Sequence, residues 1–230
     1  MFSMKALILA GGFGKRLRPL TDERPKPLLV VGGKTILDWQ IEWLKSYGIT
    51  SFVITSSHLS HKIVEHLEGG EKHGVDVKIV VEEKPLGKGG AIRNCRDIIG
   101  DDDFVVTNGD VITNLEIGRL KLEGNEVAAM AIIPLRSSYG IVKLRDSKVV
   151  GFEEKPLIRD HWVNAGAYLL TKEIFGMLPE KGEIEDTAFP ELASSGRLRA
   201  VKFEDRYWRS VDSMKDYEEV DSDLKNGRVY

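Results

Sequence analysis

Cysteine is almost missing from this chain: Cys95 is the only one among 230 residues. One thiol cannot close an internal disulfide, so the core must hold the fold, and a reducing, cytoplasmic setting is expected. Cys95 itself reads as a buried filler. Long apolar runs are lacking too. The first, "ALILA" after Met4 and Lys5, stops at Gly11, too short for a signal-peptide core, and no later run approaches a membrane span. Excess charge of one sign is also absent: the formal net charge is -3 at pH 7, so no global field gathers nucleic acid or an anionic membrane. Any basic function must be local. The expected protein is soluble, binds neither nucleic acid nor membrane, and can bury a substantial core as a single domain.

Hydrophobic patterning supplies the architecture. "KALILA" and "SFVITSS" read as strands, and "ILDWQIEWLKSYG" between them has apolar residues at helical spacing and a terminating Gly48. The rhythm repeats with a helix around "HKIVEHLEGG", a strand "VDVKIVVEE", a helix "GGAIRNCRDIIG" and a strand "DFVVTNGD". Parallel pairing through right-handed crossovers follows. After about Glu126 strands follow one another without long helices: "EVAAMAIIP", "YGIVKLRD", "KVVGFEEKP" and "WVNAGAYLL". Antiparallel pairing is expected there. Helices around "EIFGMLP" and "DTAFPELASSG", a strand "LRAVKFED" and a charged helix from Met214 complete the reading.

Chemistry concentrates behind the first strand, in "LILAGGFGKRLRPLTDERPKPLL". Small residues there let the backbone approach a ligand closely or take positive φ, and exposed amides cradle an anion. No Gly-Lys-Ser/Thr follows at Walker spacing, and "GGFGKRL" lacks the third glycine of a dinucleotide fingerprint. What remains is a glycine turn, then Lys15, Arg16 and Arg18, then Lys26 held between Pro25 and Pro27. A charge run alone is more often a solvated loop; glycines plus a proline-flanked lysine point to a polyphosphate. "FVVTNGDV" ends its strand at Asp110, where open α/β sheets place ligands.

The opening segment resembles the signature of the sugar-1-phosphate nucleotidylyltransferases, roughly L-A-G-G-x-G-T-R-L-x-P-L-T followed by K-P-x-L. The resemblance implies an α/β fold of the nucleotide-diphospho-sugar transferase type. Its Rossmann-like, mixed but mainly parallel central sheet is flanked by helices and carries a smaller antiparallel sugar-binding part. Residues 1–125 would form the nucleotide half and 126–230 the sugar-phosphate half of one domain. Leu9, Ala10, Gly11 and Gly12 fall on nucleotide-binding positions, and Arg16 and Lys26 on the triphosphate-binding and catalytic ones; Lys15 replaces the usual threonine. Within "EEKPLGKGGAI", Glu82 aligns with the base-contacting residue, while Gly87 and Gly89 belong to the loop lying along the nucleotide. A carboxylate offers two acceptors, matching guanine's N1–H and N2–H2 donors, whereas uracil and thymine present one such donor. Lys88 departs from the usual threonine.

The same resemblance makes Asp110 a ligand of catalytic Mg2+. The second ligand departs from the common pattern: in "YWRSVDSMKDY" the usual aspartate position carries Ser210. Asp212 coincides instead with the aspartate of the glucose-1-phosphate cytidylyltransferases, and is the expected second ligand. On a strand, residues two apart share a face. Gly140, Glu154, Lys155 and Asn164 fall on sugar-phosphate positions, Lys155 gripping the phosphate and Glu154 and Asn164 meeting hydroxyls. The implied partners are a nucleoside triphosphate and a sugar 1-phosphate, GTP and mannose 1-phosphate first, glucose 1-phosphate with CTP, UTP or dTTP second. A homo-oligomer is left open, with Trp39 and Trp43 as core or subunit contacts. Longer members carry a C-terminal left-handed β-helix, and none is expected in these 230 residues. A non-catalytic nucleotide-sugar-binding regulatory subunit is the rival suggested by Ser210. A nicotinamide dehydrogenase is disfavoured by the broken fingerprint, and His58, His61 and His66 lack a zinc-ligand geometry.

Overall fold

The computed structural model describes residues 4–229. The first half runs β1 (Lys5–Leu9), β2 (Val30–Val31), β3 (Lys34–Thr35), α1 (Ile36–Lys45), β4 (Ser51–Ser56), α2 (Ser60–Leu67), β5 (Asp76–Val81), α3 (Gly87–Asn94), α4 (Arg96–Ile99), β6 (Phe104–Asn108) and β7 (Val111–Thr113). There follow β8 (Ala128–Arg136), β9 (Ile141–Arg145), β10 (Lys148–Glu153), β11 (Leu157–Leu170), α5 (Ala188–Ser194), β12 (Leu198–Lys202), β13 (Trp208–Ser210) and α6 (Met214–Lys225). Seven strands form one sheet in the order β12-β8-β11-β6-β1-β4-β5. β1 pairs in parallel with β4 and β6, and β4 with β5, as the alternation of strands and helices predicts. β11 runs antiparallel between β6 and β8, and β12 returns parallel to β8. The fold is the mixed, mainly parallel α/β type that the sequence implies.

Side-chain alternation explains the layers. On β1, Ala6 and Ile8 face one side with Phe52 and Ile54 of β4, under α1 and α2 through Leu37, Ile41, Leu44, Ile63 and Leu67. Leu7 and Val53 face the other, with Phe104 and Val106, under Ile92, Ile99, Phe189 and Leu192 of α3, α4 and α5. Cys95 is buried in this second layer, and burial pushes its thiol up to about 12. A third cluster joins Leu17 in the opening loop to Ile112, Val211 and Val220. Three differences from the sequence reading stand out. The helix anticipated over 89–100 breaks at Cys95 into α3 and α4; the one over 173–179 is a short 3-10 turn, Lys172–Gly176; and β11 begins at Leu157 with two register shifts. Among the described residues no helix is long and apolar enough to cross a membrane.

Thr35 opens α1 with a reciprocal cap: its hydroxyl accepts from the Asp38 N–H at 3.0 Å, and Asp38 Oδ2 accepts from the Thr35 N–H at 3.4 Å. The buried Asp38 carboxylate also receives Nε2 of His66 and of His73, each at 2.8 Å, and Lys72 Nζ at 3.3 Å. That stitches α1 to α2 and to the turn beyond it, and gives His66 a structural partner. Burial opposes the charge, but His66, Thr35 and Lys72 outweigh it and hold the Asp38 carboxyl at about 2 rather than 3.8. A folded-state pKa below the unfolded one means the stabilisation is complete above roughly pH 4 and lost as pH falls toward about 2. It is on the order of 2 kcal/mol. In thermal unfolding, Asp38→Asn should therefore show a shallower loss of melting temperature across that window than the parent protein. Equal slopes would contradict the assignment.

Candidate active site

The carboxyl ends of β1, β4 and β6 open onto a cavity of about 510 Å³. Leu9, Ala10, Gly11 and Gly12 line it from β1 and the loop beyond, Thr55 from β4, Asn108 from the end of β6, and Gly109 and Asp110 from the turn that follows. The loop is shaped by one glycine above all: Gly14 has φ +60, and a Cβ there would fall 2.8 Å from Thr21 Cγ2. Thr21 Oγ1 in turn donates to the Gly14 carbonyl at 2.9 Å. The chain then enters a short 3-10 turn, Lys15–Leu17, whose Leu17 is fully buried while Lys15 and Arg16 face the cavity. Arg18 goes elsewhere, pairing with Asp22 at 3.1 Å.

Lys26 is the centre of the site. Pro25 is extended and Pro27 sits inside the 3-10 turn Lys26–Leu28, so the lysine backbone is restricted on both sides, and the residue is only 8% exposed. Its Nζ donates to Asp110 Oδ2 at 2.7 Å and to Asp212 Oδ1 at 2.9 Å, and Arg16 reaches the same Asp212 oxygen at 3.2 Å. Four residues that are far apart in the sequence thus converge on one point of the cavity wall. Burial opposes ionisation of Asp212, but the Ser210 hydroxyl, Lys26 and Arg16 hold its carboxyl below the usual range. β13 ends at Ser210, so Asp212 lies just beyond the strand rather than on it; the Ser210 hydroxyl nevertheless donates to Asp212 Oδ2, which keeps both on one side.

Glu82 follows β5 and is 7% exposed. Its Oε2 accepts the Leu86 N–H at 3.3 Å, while Oε1 is buried with no partner among the described residues. Burial raises its pKa and the Leu86 N–H works against that rise. Gly87 lines the cavity, whereas Gly89 lies outside the lining and donates its N–H to the Gly182 carbonyl at 2.9 Å.

The sugar-side candidates lie outside the lining. Gly140 precedes β9 and packs against Phe152 and Glu154, and Glu154 pairs with Lys155 at 3.7 Å just past β10. Lys155 has φ +45, a left-handed conformation that lysine adopts at a cost. On β11, Asn164 Nδ2 donates to Tyr168 OH at 2.7 Å and Oδ1 accepts the Gly166 N–H at 2.8 Å. Gly166 abuts Asn108, so this strand reaches the cavity rim. Sequence reasoning missed Asn108, Gly109 and Glu183. The first two lie in "FVVTNGDV", where Asp110 is the charged residue; Glu183 comes from a 179–187 segment carrying no recognised motif, brought in because Gly182 bonds Leu86 and Gly89.

The nucleotidyl transferase family model matches residues 5–227. The chain belongs to that family. This family member is 36% identical over 227 residues to a probable mannose-1-phosphate guanylyltransferase 1 of Oryza sativa subsp. japonica, covering 93% of this chain and 63% of that protein. It is 33% identical over 218 residues to the bifunctional protein GlmU of Methanococcus maripaludis, covering 90% of this chain and 51% of that protein. The chain thus spans less than two thirds of the length of these curated relatives. In three dimensions it resembles the crystal structure of a putative glucose-1-phosphate thymidylyltransferase from Bacillus anthracis in complex with a sucrose, at TM-score 0.79 and 25% identity, over 97% of this chain and 96% of that one.

Proposed function

We propose that this protein joins GTP and mannose 1-phosphate into an NDP-sugar and pyrophosphate, with Mg2+ as its metal. One observation carries the reading: a lysine shared by two carboxylates, with an arginine beside it, at the carboxyl ends of the parallel strands. In the reaction a phosphate oxygen of the sugar 1-phosphate attacks the α-phosphorus, and the bond to the bridging oxygen breaks to release pyrophosphate. No protein nucleophile is required. The chain's task is to bring two anions together and neutralise the charge gathering on the leaving group. Arg16 and Lys26 serve the triphosphate, the backbone of Gly11 and Gly12 lies along it, and Lys155 holds the incoming phosphate with Gly140, Glu154 and Asn164 around the sugar. On this reading residues 1–125 supply the nucleotide half and 126–230 the sugar half of one cytoplasmic domain.

The donor set fits magnesium. Mg2+ takes oxygen ligands and commonly uses one or two carboxylates completed by substrate phosphates and water. Asp110 and Asp212 offer two oxygens that already share one cationic nitrogen. Bound there, the ion would withdraw charge from the reacting phosphates.

Guanine is favoured by the unpartnered Glu82 Oε1, since a buried acceptor without a donor is costly and guanine brings two adjacent donors. Guanylyltransferase relatives agree in name. Glucose 1-phosphate with a pyrimidine triphosphate is the second reading, favoured by Asp212 serving where Ser210 replaces the usual aspartate. A matrix of nucleoside triphosphates against hexose 1-phosphates, scored by magnesium-dependent pyrophosphate release, tests both. The expected maximum is GTP with mannose 1-phosphate; nucleotide binding without pyrophosphate release in every cell would favour a regulatory subunit instead.

A further inference from the structure

We infer that Gln40 is a positioning residue for Asp110. The inference rests on the nucleotidyl-transfer reading above and adds to it a side chain outside the cavity. Gln40 lies on the buried face of α1 at 1% exposure and does not line the site. Its Nε2 donates to the Asn108 carbonyl at 2.6 Å and to the Val111 carbonyl at 3.0 Å. Those two carbonyls flank Gly109 and Asp110, so one amide group straddles the turn that aims Asp110 at Lys26. A side-chain amide nitrogen carries two hydrogens, and both are spent here.

The turn is held from two other sides. Gly109 donates its N–H to the Leu9 carbonyl at 2.9 Å, and a Cβ on Gly109 would fall 2.5 Å from that carbonyl oxygen. The Asp110 carbonyl accepts the Val211 N–H at 2.9 Å, next to Asp212. Gln40 is the third anchor and the one supplied by a side chain. Its Oε1 is buried with no partner among the described residues, and turning the amide over would set that oxygen against two carbonyls. An unpaired buried acceptor is destabilising. The residue therefore costs the core something, and what it gains is two bonds to the Asp110 turn. Its neighbours on α1 donate elsewhere: Trp39 Nε1 to the Val31 carbonyl of β2 at 2.8 Å and Trp43 Nε1 to the Leu115 carbonyl at 2.9 Å.

Gln40→Met keeps the length and removes both donors. It should lower kcat for pyrophosphate release about tenfold or more, because small displacements of a catalytic group carry penalties of that size, while KM for the sugar phosphate stays within about threefold. Amide hydrogen exchange at Gly109, Asp110 and Val111 should accelerate more than at β4, where a general loosening of the core would act equally. A folded Gln40→Met with parental kcat, or with parental exchange at the turn, overturns the inference. If the methionine variant does not fold, Gln40→Asn, which withdraws the amide by one methylene, must give the same kcat loss and the same local exchange; parental values there overturn it equally. A parent protein that releases no pyrophosphate with any substrate pair would reject the nucleotidyl-transfer reading, and the exchange comparison would still decide whether Gln40 holds the turn.

Discussion

Replacing Lys26 with methionine is expected to lower the turnover of pyrophosphate release at least about a hundredfold, the usual scale for losing one preorganised charge donor in a transition state. Methionine preserves the apolar stem in its proline-flanked, 8% exposed position, so the change falls almost wholly on the ammonium. That group is the common partner of Asp110 and Asp212 at 2.7 and 2.9 Å. Without it the two carboxylates face one another, but their side chains are 29% and 35% exposed, so water can solvate them and the folded state should survive. Arginine should not restore turnover: its flat fork is longer and cannot place one compact charge between two single oxygens. Turnover within a few-fold of the parent, with an unchanged melting temperature, would remove Lys26 from the chemistry.

Glu82→Gln should reduce kcat/KM with GTP by about a thousandfold, since a site built around a hydrogen-bonded group discriminates strongly once that group is mismatched. The carboxylate is buried, with Oε2 engaged by the Leu86 N–H at 3.3 Å and Oε1 unpartnered. Glutamine can keep the Leu86 contact through its carbonyl, yet it then turns N–H donors toward the donors of guanine. The loss should be specific to GTP; an equal loss with every triphosphate would mean that Glu82 does not read the base. Burial also raises the Glu82 pKa, so in the parent the GTP preference should fade on acidification at a higher pH than for an exposed glutamate, whose pKa is 4.5. The glutamine variant should lack that dependence.

Why some of this was legible in the sequence and some was not follows from where each contact lives. Arg16, Lys26, Glu82 and Asp110 sit in contiguous motifs whose local backbone demands, glycines and prolines above all, are written beside them. Asp212 was legible through its spacing from Trp208 and Tyr217, although it lies past the strand end and not on it. The parallel pairing of the first half followed from alternation, although the placing of β1 between β4 and β6 did not. Glu183 and Gln40 were opaque for another reason. Glutamine on a helix reads as a neutral surface residue, and its role appears only once α1 packs across the Asn108–Val111 turn, 68 residues away in sequence from Gln40 at its nearer end. The early start of β11 likewise depends on pairing with β8 that local propensity does not encode.

The position of β11 between β6 and β8 has a consequence for synthesis on the ribosome. β6 can pair with β1 once both have emerged, but in the finished sheet its other flank is covered by Ala167–Leu170, about sixty residues later. Until then Phe104, Val105 and Val106 present an apolar strand with an open edge, the feature that invites association with a neighbouring nascent chain. Slowed translation between 110 and 167 should therefore favour aggregation, and a holdase chaperone that shields this edge should suppress it.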